Sequence, residues 1–114
     1  MSKLLRDNKP FLLLLVTTTS ARQLGTLLRM VTPSQYKALK EIAVNVVEGN
    51  LPLTTRQRED LTRHKRSILK FTGKKTTPLK PKWVLCLLKA AKPFLLEESQ
   101  MALGELIQRL SSSN

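Results

Sequence analysis

Three segments of this chain open with the same local chemistry, and that repetition constrains the fold more than any other feature. Ser20-Ala-Arg-Gln23, Thr32-Pro-Ser-Gln35 and Thr54-Thr-Arg-Gln57 each set a hydroxyl three residues ahead of a glutamine. In a capping box the hydroxyl accepts from the third backbone N–H, while the glutamine side chain reaches back to the N–H of the cap residue itself. In the second segment Pro33 takes the first helical position, where its missing N–H costs nothing. Each box leads into an apolar pattern of helical period. Leu24, Leu27, Leu28 and Val31 follow the first, and Tyr36, Leu39, Ile42, Ala43, Val46 and Val47 the second. Leu61, His64, Ile68 and Phe71 follow the third. The pattern predicts helices over about 20–31, 33–48 and 55–71.

Punctuation residues fill in the rest. Gly49 suits the position just past a helix C-terminus, and Asn50-Leu51-Pro52 stops continuation. Gly73 ends the third capped helix, and residues 72–82, with two prolines and four lysines, read as an exposed linker. A helix over about 82–91 follows, and Pro93 opens a last one with Leu96, Leu103, Leu106, Ile107 and Leu110 on one side. Residues 3–16 are helical as well, interrupted or restarted at Pro10, and residues 111–114 fray. Apolar residues make up 41% and aromatics 4%, so the core is aliphatic and dominated by leucine. With 114 residues the expectation is one all-α domain, a bundle of five or six short helices. A short echo, Leu-Leu-basic-x-x-Lys-Pro-Phe-Leu-Leu, joins 4–13 to 87–96; chance explains it as well as duplication.

Charge narrows the function. Lysine and arginine outnumber aspartate and glutamate by 20 to 8, a formal charge of +12. The excess is local, with residues 51–92 holding +10 against +4 for 1–50 and −2 for 93–114. A field of this size points to an anionic partner. Arg56, Arg63, Arg66 and Lys70 fall at spacings that share one face of a 55–71 helix, flanked by Arg58 and Lys65. Lys74, Lys75, Lys80 and Lys82 extend the stripe along a flexible linker. Phosphate neutralisation needs many cations on one side, so these ten are the candidate nucleic-acid contacts. Glu59 and Asp60 are assigned to the first turn of the helix, with Glu59–Arg63 as a supporting pair. No Asn, Gln or Ser cluster accompanies the arginines for base reading, so binding is expected to ignore sequence. The 33–48 and 55–71 helices also fit a helix-turn-helix pair, the weaker alternative.

Catalysis finds no foothold. One cysteine and one histidine make no disulfide and no metal cluster, and no nucleophile–base pair or phosphate-cradling glycine loop is present. The expectation is therefore no enzyme, no metal and no cofactor. Cys86 lies in an apolar run and reads as a small buried hydrophobe; His64 reads as half-buried core. At the N-terminus, Lys3, Arg6 and Lys9 precede the run Phe11–Val16, and Thr19-Ser20-Ala21 resembles a cleavage site. That run is six residues, short of a secretory core, so the reading is an uncleaved intracellular chain, nuclear or in a virion, not secreted.

The stretch from Lys9 to about Leu88 carries a further signal. It contains Leu27-Leu28-Arg29-Met30-Val31-Thr32-Pro33-Ser34-Gln35, then Ala38 to Val46, then Glu48-Gly49-Asn50-Leu51-Pro52-Leu53-Thr54, then Arg63-His64-Lys65-Arg66. This resembles the small basic proteins encoded beside capsid genes in adenovirus-like and polinton-like animal DNA viruses, including adintoviruses and adomaviruses. The resemblance implies a virion core role of the kind played by the adenovirus protein that condenses packaged DNA. It departs at the tail, where family members carry a longer glycine-containing apolar segment and this chain has acidic-leaning residues from Pro93 to Leu110.

The expected function is therefore non-sequence-specific binding of nucleic acid, DNA ahead of RNA, in genome packaging. One rival is a protein-interaction adaptor, death-fold-like, whose basic face docks an acidic partner. Another is a membrane-surface or oligomerising minor virion protein using the apolar runs Phe11–Val16 and Trp83–Leu88. Those runs either fill the core or form an oligomer interface, and membrane insertion ranks last.

Overall fold

The structure, a computed structural model, describes the backbone of residues 2–112 and the side chains of residues 2–96. Seven helices and no strand are found among the described residues: α1 (Lys3–Asp7), α2 (Lys9–Thr17), α3 (Ala21–Arg29), α4 (Pro33–Val47), α5 (Thr55–Arg63), α6 (Lys65–Thr72) and α7 (Pro81–Ser112). The all-α bundle expected from the sequence is what forms.

The capped starts lie where the hydroxyl–glutamine spacing puts them. At α4 both halves of the box close, with Gln35 N–H donating to Thr32 Oγ1 at 3.1 Å and Thr32 N–H to Gln35 Oε1 at 2.9 Å. The same pair of bonds, at the same lengths, closes α5 between Thr54 and Gln57. At α3 Ser20 Oγ accepts from Gln23 N–H, at 3.3 Å, with no reciprocal bond from the glutamine. Such caps contribute about 0.5–2 kcal/mol each. The C-terminus of α4 forms a Schellman turn. Gly49 N–H bonds Val46 O at 3.2 Å, Asn50 N–H bonds Asn45 O at 2.9 Å, and Gly49 sits at φ +76°.

Helix α7 is the spine. Its buried stripe of Trp83, Val84, Leu87, Leu88, Ala91 and Leu95 packs against α2, α3, α4 and α5. Thirty-two helical residues span about 48 Å, which accounts for a molecule 54 Å long and 32 by 28 Å across. Phe71 of α6, fully buried, joins the core through rings. Its centroid lies 5.2 Å from Tyr36, edge-on, and 5.0 Å from Trp83. Both apolar runs enter this core. Leu12, Leu15 and Val16 are buried on α2, as are Trp83, Val84, Leu87 and Leu88 on α7, while Leu14 stays half exposed.

Three local expectations give way to tertiary structure. The 55–71 helix breaks at His64, which adopts φ −111° and ψ 17° and joins α5 to α6. Thr62 Oγ1 donates back to Arg58 O at 2.7 Å, a contact that bends helices. The bend lets α5 pack on α7 while α6, carrying the buried Ile68 and Phe71, packs on α4. Pro93 starts nothing, because α7 runs straight through it. A proline at 93 strips the Lys89 carbonyl of its helical N–H partner. Here the Gln57 side chain supplies the replacement, donating from Nε2 to Lys89 O at 3.4 Å. The side chains of Leu103, Leu106, Ile107 and Leu110, assigned to one face of that helix, lie outside the described residues, as do Ser113 and Asn114.

The echoed motif behaves differently at its first copy. Asn8 interrupts the helix, and its own N–H reaches both Leu4 O, at 3.3 Å, and Arg6 O, the carbonyl that Pro10 leaves free. The Asn8 amide donates to Leu4 O at 2.9 Å and to Ser34 Oγ at 3.0 Å, tying this corner to α4. The same proline problem is solved by a break in one copy and by a long-range side chain in the other. Lastly, the linker is tethered rather than free. Tyr36 Oη accepts from Thr77 N–H at 2.9 Å and donates to Thr77 O at 3.3 Å, and Thr77 and Leu79 are half-buried.

Candidate nucleic-acid interface

All ten sequence-assigned cations, Arg56, Arg58, Arg63, Lys65, Arg66, Lys70, Lys74, Lys75, Lys80 and Lys82, are exposed. Their helices turn Leu61, Ile68 and Phe71 inward, which leaves the charged positions no direction but solvent. Among the described residues Arg63 alone of the ten has an ion-pair partner, Asp60 at 3.7 Å. The expected Glu59–Arg63 pair is not the one formed, and Glu59 and Asp60 begin after the first turn of α5, which carries no acid. A surface pair this exposed contributes little and leaves Arg63 available to a stronger anion.

The break at His64 rearranges the stripe. Spacing across a continuous 55–71 helix no longer aligns Arg56 and Arg63 with Arg66 and Lys70, because α5 and α6 are separate helices packed on different neighbours. Six of the ten instead fall into three neighbourhoods. Lys70, Lys74 and Lys75 come together around an open concavity of about 510 Å³, completed by Gly73, Thr76, Thr77 and Pro78. Arg66 stands one turn before Lys70 on α6 and prolongs this group. Arg56 lies apart, at a cleft of about 270 Å³ shared with Thr54, Gln57, Asp60, Cys86 and Lys89. Lys65 rims a third depression of about 250 Å³, whose walls are Val46, Val47, Leu61, Ile68 and Leu69.

Lys89 is one of two cations in the 51–92 window, with Lys92, that spacing arguments omitted. Its place beside Arg56 arises from the docking of α5 on α7. In the same cleft Cys86 is half-buried, less enclosed than its apolar neighbours suggest, and its Sγ donates to Lys82 O at 3.4 Å. Burial pushes the thiol pKa up and the Asp60 carboxylate adds to the rise, against weaker opposition from Lys89 and Arg63. At neutral pH the group is therefore a protonated thiol, not an activated nucleophile.

Among the described residues no group of three His, Cys, Asp or Glu is placed to hold a metal, and no helix is long and apolar enough to cross a membrane. No protein-family model, curated protein or solved structure matches this chain.

Proposed function

We propose that this protein binds nucleic acid through its phosphates without reading sequence, with duplex DNA as the ligand, and that it serves to package a genome. One observation carries the reading: ten exposed cations, nine of them without an ion-pair partner among the described residues, lie within 27 consecutive positions. Leaving so much like charge unpaired costs the folded state self-repulsion, which an anionic polymer relieves. The Lys70–Lys74–Lys75 concavity offers a phosphate several donors at once, with Arg66 one turn away on α6. Lysine heads and mobile arginines contact backbone oxygens, which positions a protein on DNA but conveys no sequence. The packaging role follows the resemblance to capsid-linked basic proteins and rests on it. Affinities for duplexes of unrelated sequence, measured at fixed low salt, test the proposal. Equal affinities support it, and a preference of a hundredfold for one sequence contradicts it.

A second reading, docking of an acidic protein segment, draws on the depression beside Lys65. Val47 and Leu69 there are 46% and 45% exposed, an apolar floor next to cations that suits an acidic amphipathic helix.

A further inference from the structure

The linker between α6 and α7 combines features that the binding proposal does not use. Residues 76–80 carry no helix or turn, and the segment faces solvent at Thr76, Pro78 and Lys80. Pro78 confines Thr77 to extended backbone. The single Tyr36 hydroxyl meets both the N–H and the C=O of Thr77, groups that an extended residue turns to the same side. Thr77 is thus an extended hydroxyl residue followed by proline, with Lys80 three positions on. That is the substrate shape of proline-directed protein kinases, which take an extended strand and favour a cation at that distance. Thr77 also lines the concavity of about 510 Å³ that holds Lys70, Lys74 and Lys75.

We propose that Thr77 is a phosphoacceptor for a proline-directed kinase, and that its phosphate settles among Lys70, Lys74 and Lys75 and withdraws them from other anions. In the transfer, Thr77 Oγ1 bonds to the γ-phosphorus of ATP as the bond from that phosphorus to the bridging oxygen breaks. ADP leaves with the electron pair, and the hydroxyl proton passes to the kinase base. The product brings a charge of about −1.5 to −2 and three acceptor oxygens to the lysine cluster. Thr77 must leave Tyr36 to enter a kinase, which costs two hydrogen bonds at the half-buried edge of the domain and leaves the buried core intact. The effect on DNA rests on the binding proposal above, whereas the seating of the phosphate does not.

Full-length protein would be treated with a cyclin-dependent-class kinase and ATP, and the product mapped by tandem mass spectrometry. One phosphate on Thr77, none on a Thr77→Ala variant, is expected; a product without phosphate on Thr77 overturns the site. Neutralising two lysines lowers duplex affinity about 30-fold at 0.15 M salt and flattens the slope against log salt by about 2. Unchanged affinity and slope overturn the regulatory role. If the unmodified protein binds no duplex, the binding proposal fails separately, and phosphorus NMR decides the seat. A phosphothreonine pKa below its usual value of about 6, restored by Lys70→Gln, Lys74→Gln and Lys75→Gln, supports it; an ordinary value in the wild-type product overturns it.

Discussion

Gln57 is asked to do two things at once, and removing it tests how α7 survives Pro93. Its Oε1 accepts from Thr54 N–H at 2.9 Å, closing the α5 cap, and its Nε2 donates to Lys89 O at 3.4 Å. Gln57→Ala deletes both. The side-chain half of a capping box is worth about 0.5–1 kcal/mol, and a long, partly exposed hydrogen bond about 0.5 kcal/mol. The total, about 1–1.5 kcal/mol, lowers Tm by about 4–6 °C for a domain of this size. Gln57→Glu separates the two roles. A carboxylate still accepts from Thr54 but cannot donate to Lys89, so this variant loses the α7 contact and keeps the cap. Pro93→Ala restores a backbone N–H for the Lys89 carbonyl, making the Gln57 donor redundant. A double-mutant cycle of Gln57→Glu with Pro93→Ala, read by urea unfolding, should show a coupling of about 0.5–1 kcal/mol. Costs that add within about 0.3 kcal/mol would refute the claim that Gln57 compensates the proline.

Other residues give equally direct readouts. Gly49→Ala places a Cβ in open space but at φ +76°, so the loss of about 1 kcal/mol seen by urea unfolding should come from backbone conformation alone. Tyr36→Phe removes both bonds to Thr77 and keeps the ring on Phe71, so hydrogen exchange should show the Thr77 amide losing protection while the Phe71 amide keeps its own. Cys86, its pKa raised by burial and by Asp60, should react with iodoacetamide slowly at pH 7–8, and Asp60→Asn should speed it. Because the folded thiol pKa lies above the unfolded one, this group's contribution is complete at neutral pH. It fades only as pH rises through the folded value, which urea midpoints at pH 7 and above pH 9 would show.

What the sequence made legible was local. The boxes at Thr32 and Thr54 and the turn at Gly49 depend on residues within five positions of each other, and each forms as its spacing demands. What stayed hidden was long-range. Nothing near Pro93 reveals that Gln57, 36 positions earlier, supplies its missing bond partner. His64 carries no proline or glycine to announce a break; the break follows from α5 and α6 having different partners. For the candidate interface, exposure of the helical cations was readable because Leu61, Ile68 and Phe71 on the same helices are spoken for by the core. Their grouping was not, since Lys89 meets Arg56 through helix docking and the linker lysines are positioned by Tyr36 holding Thr77.

The central claim is that phosphate contact runs through this basic segment. The most direct test is the salt dependence of random-sequence duplex binding, for the wild type and for a variant with Arg63, Arg66, Lys70, Lys74 and Lys75 changed to glutamine. The account predicts affinity falling linearly in log salt, with a slope shallower by about 4–5 in the variant, near 0.9 per cation removed. Its circular dichroism spectrum should match the wild type. No binding by the wild type at low salt, or an equal slope from a still-folded variant, would contradict it.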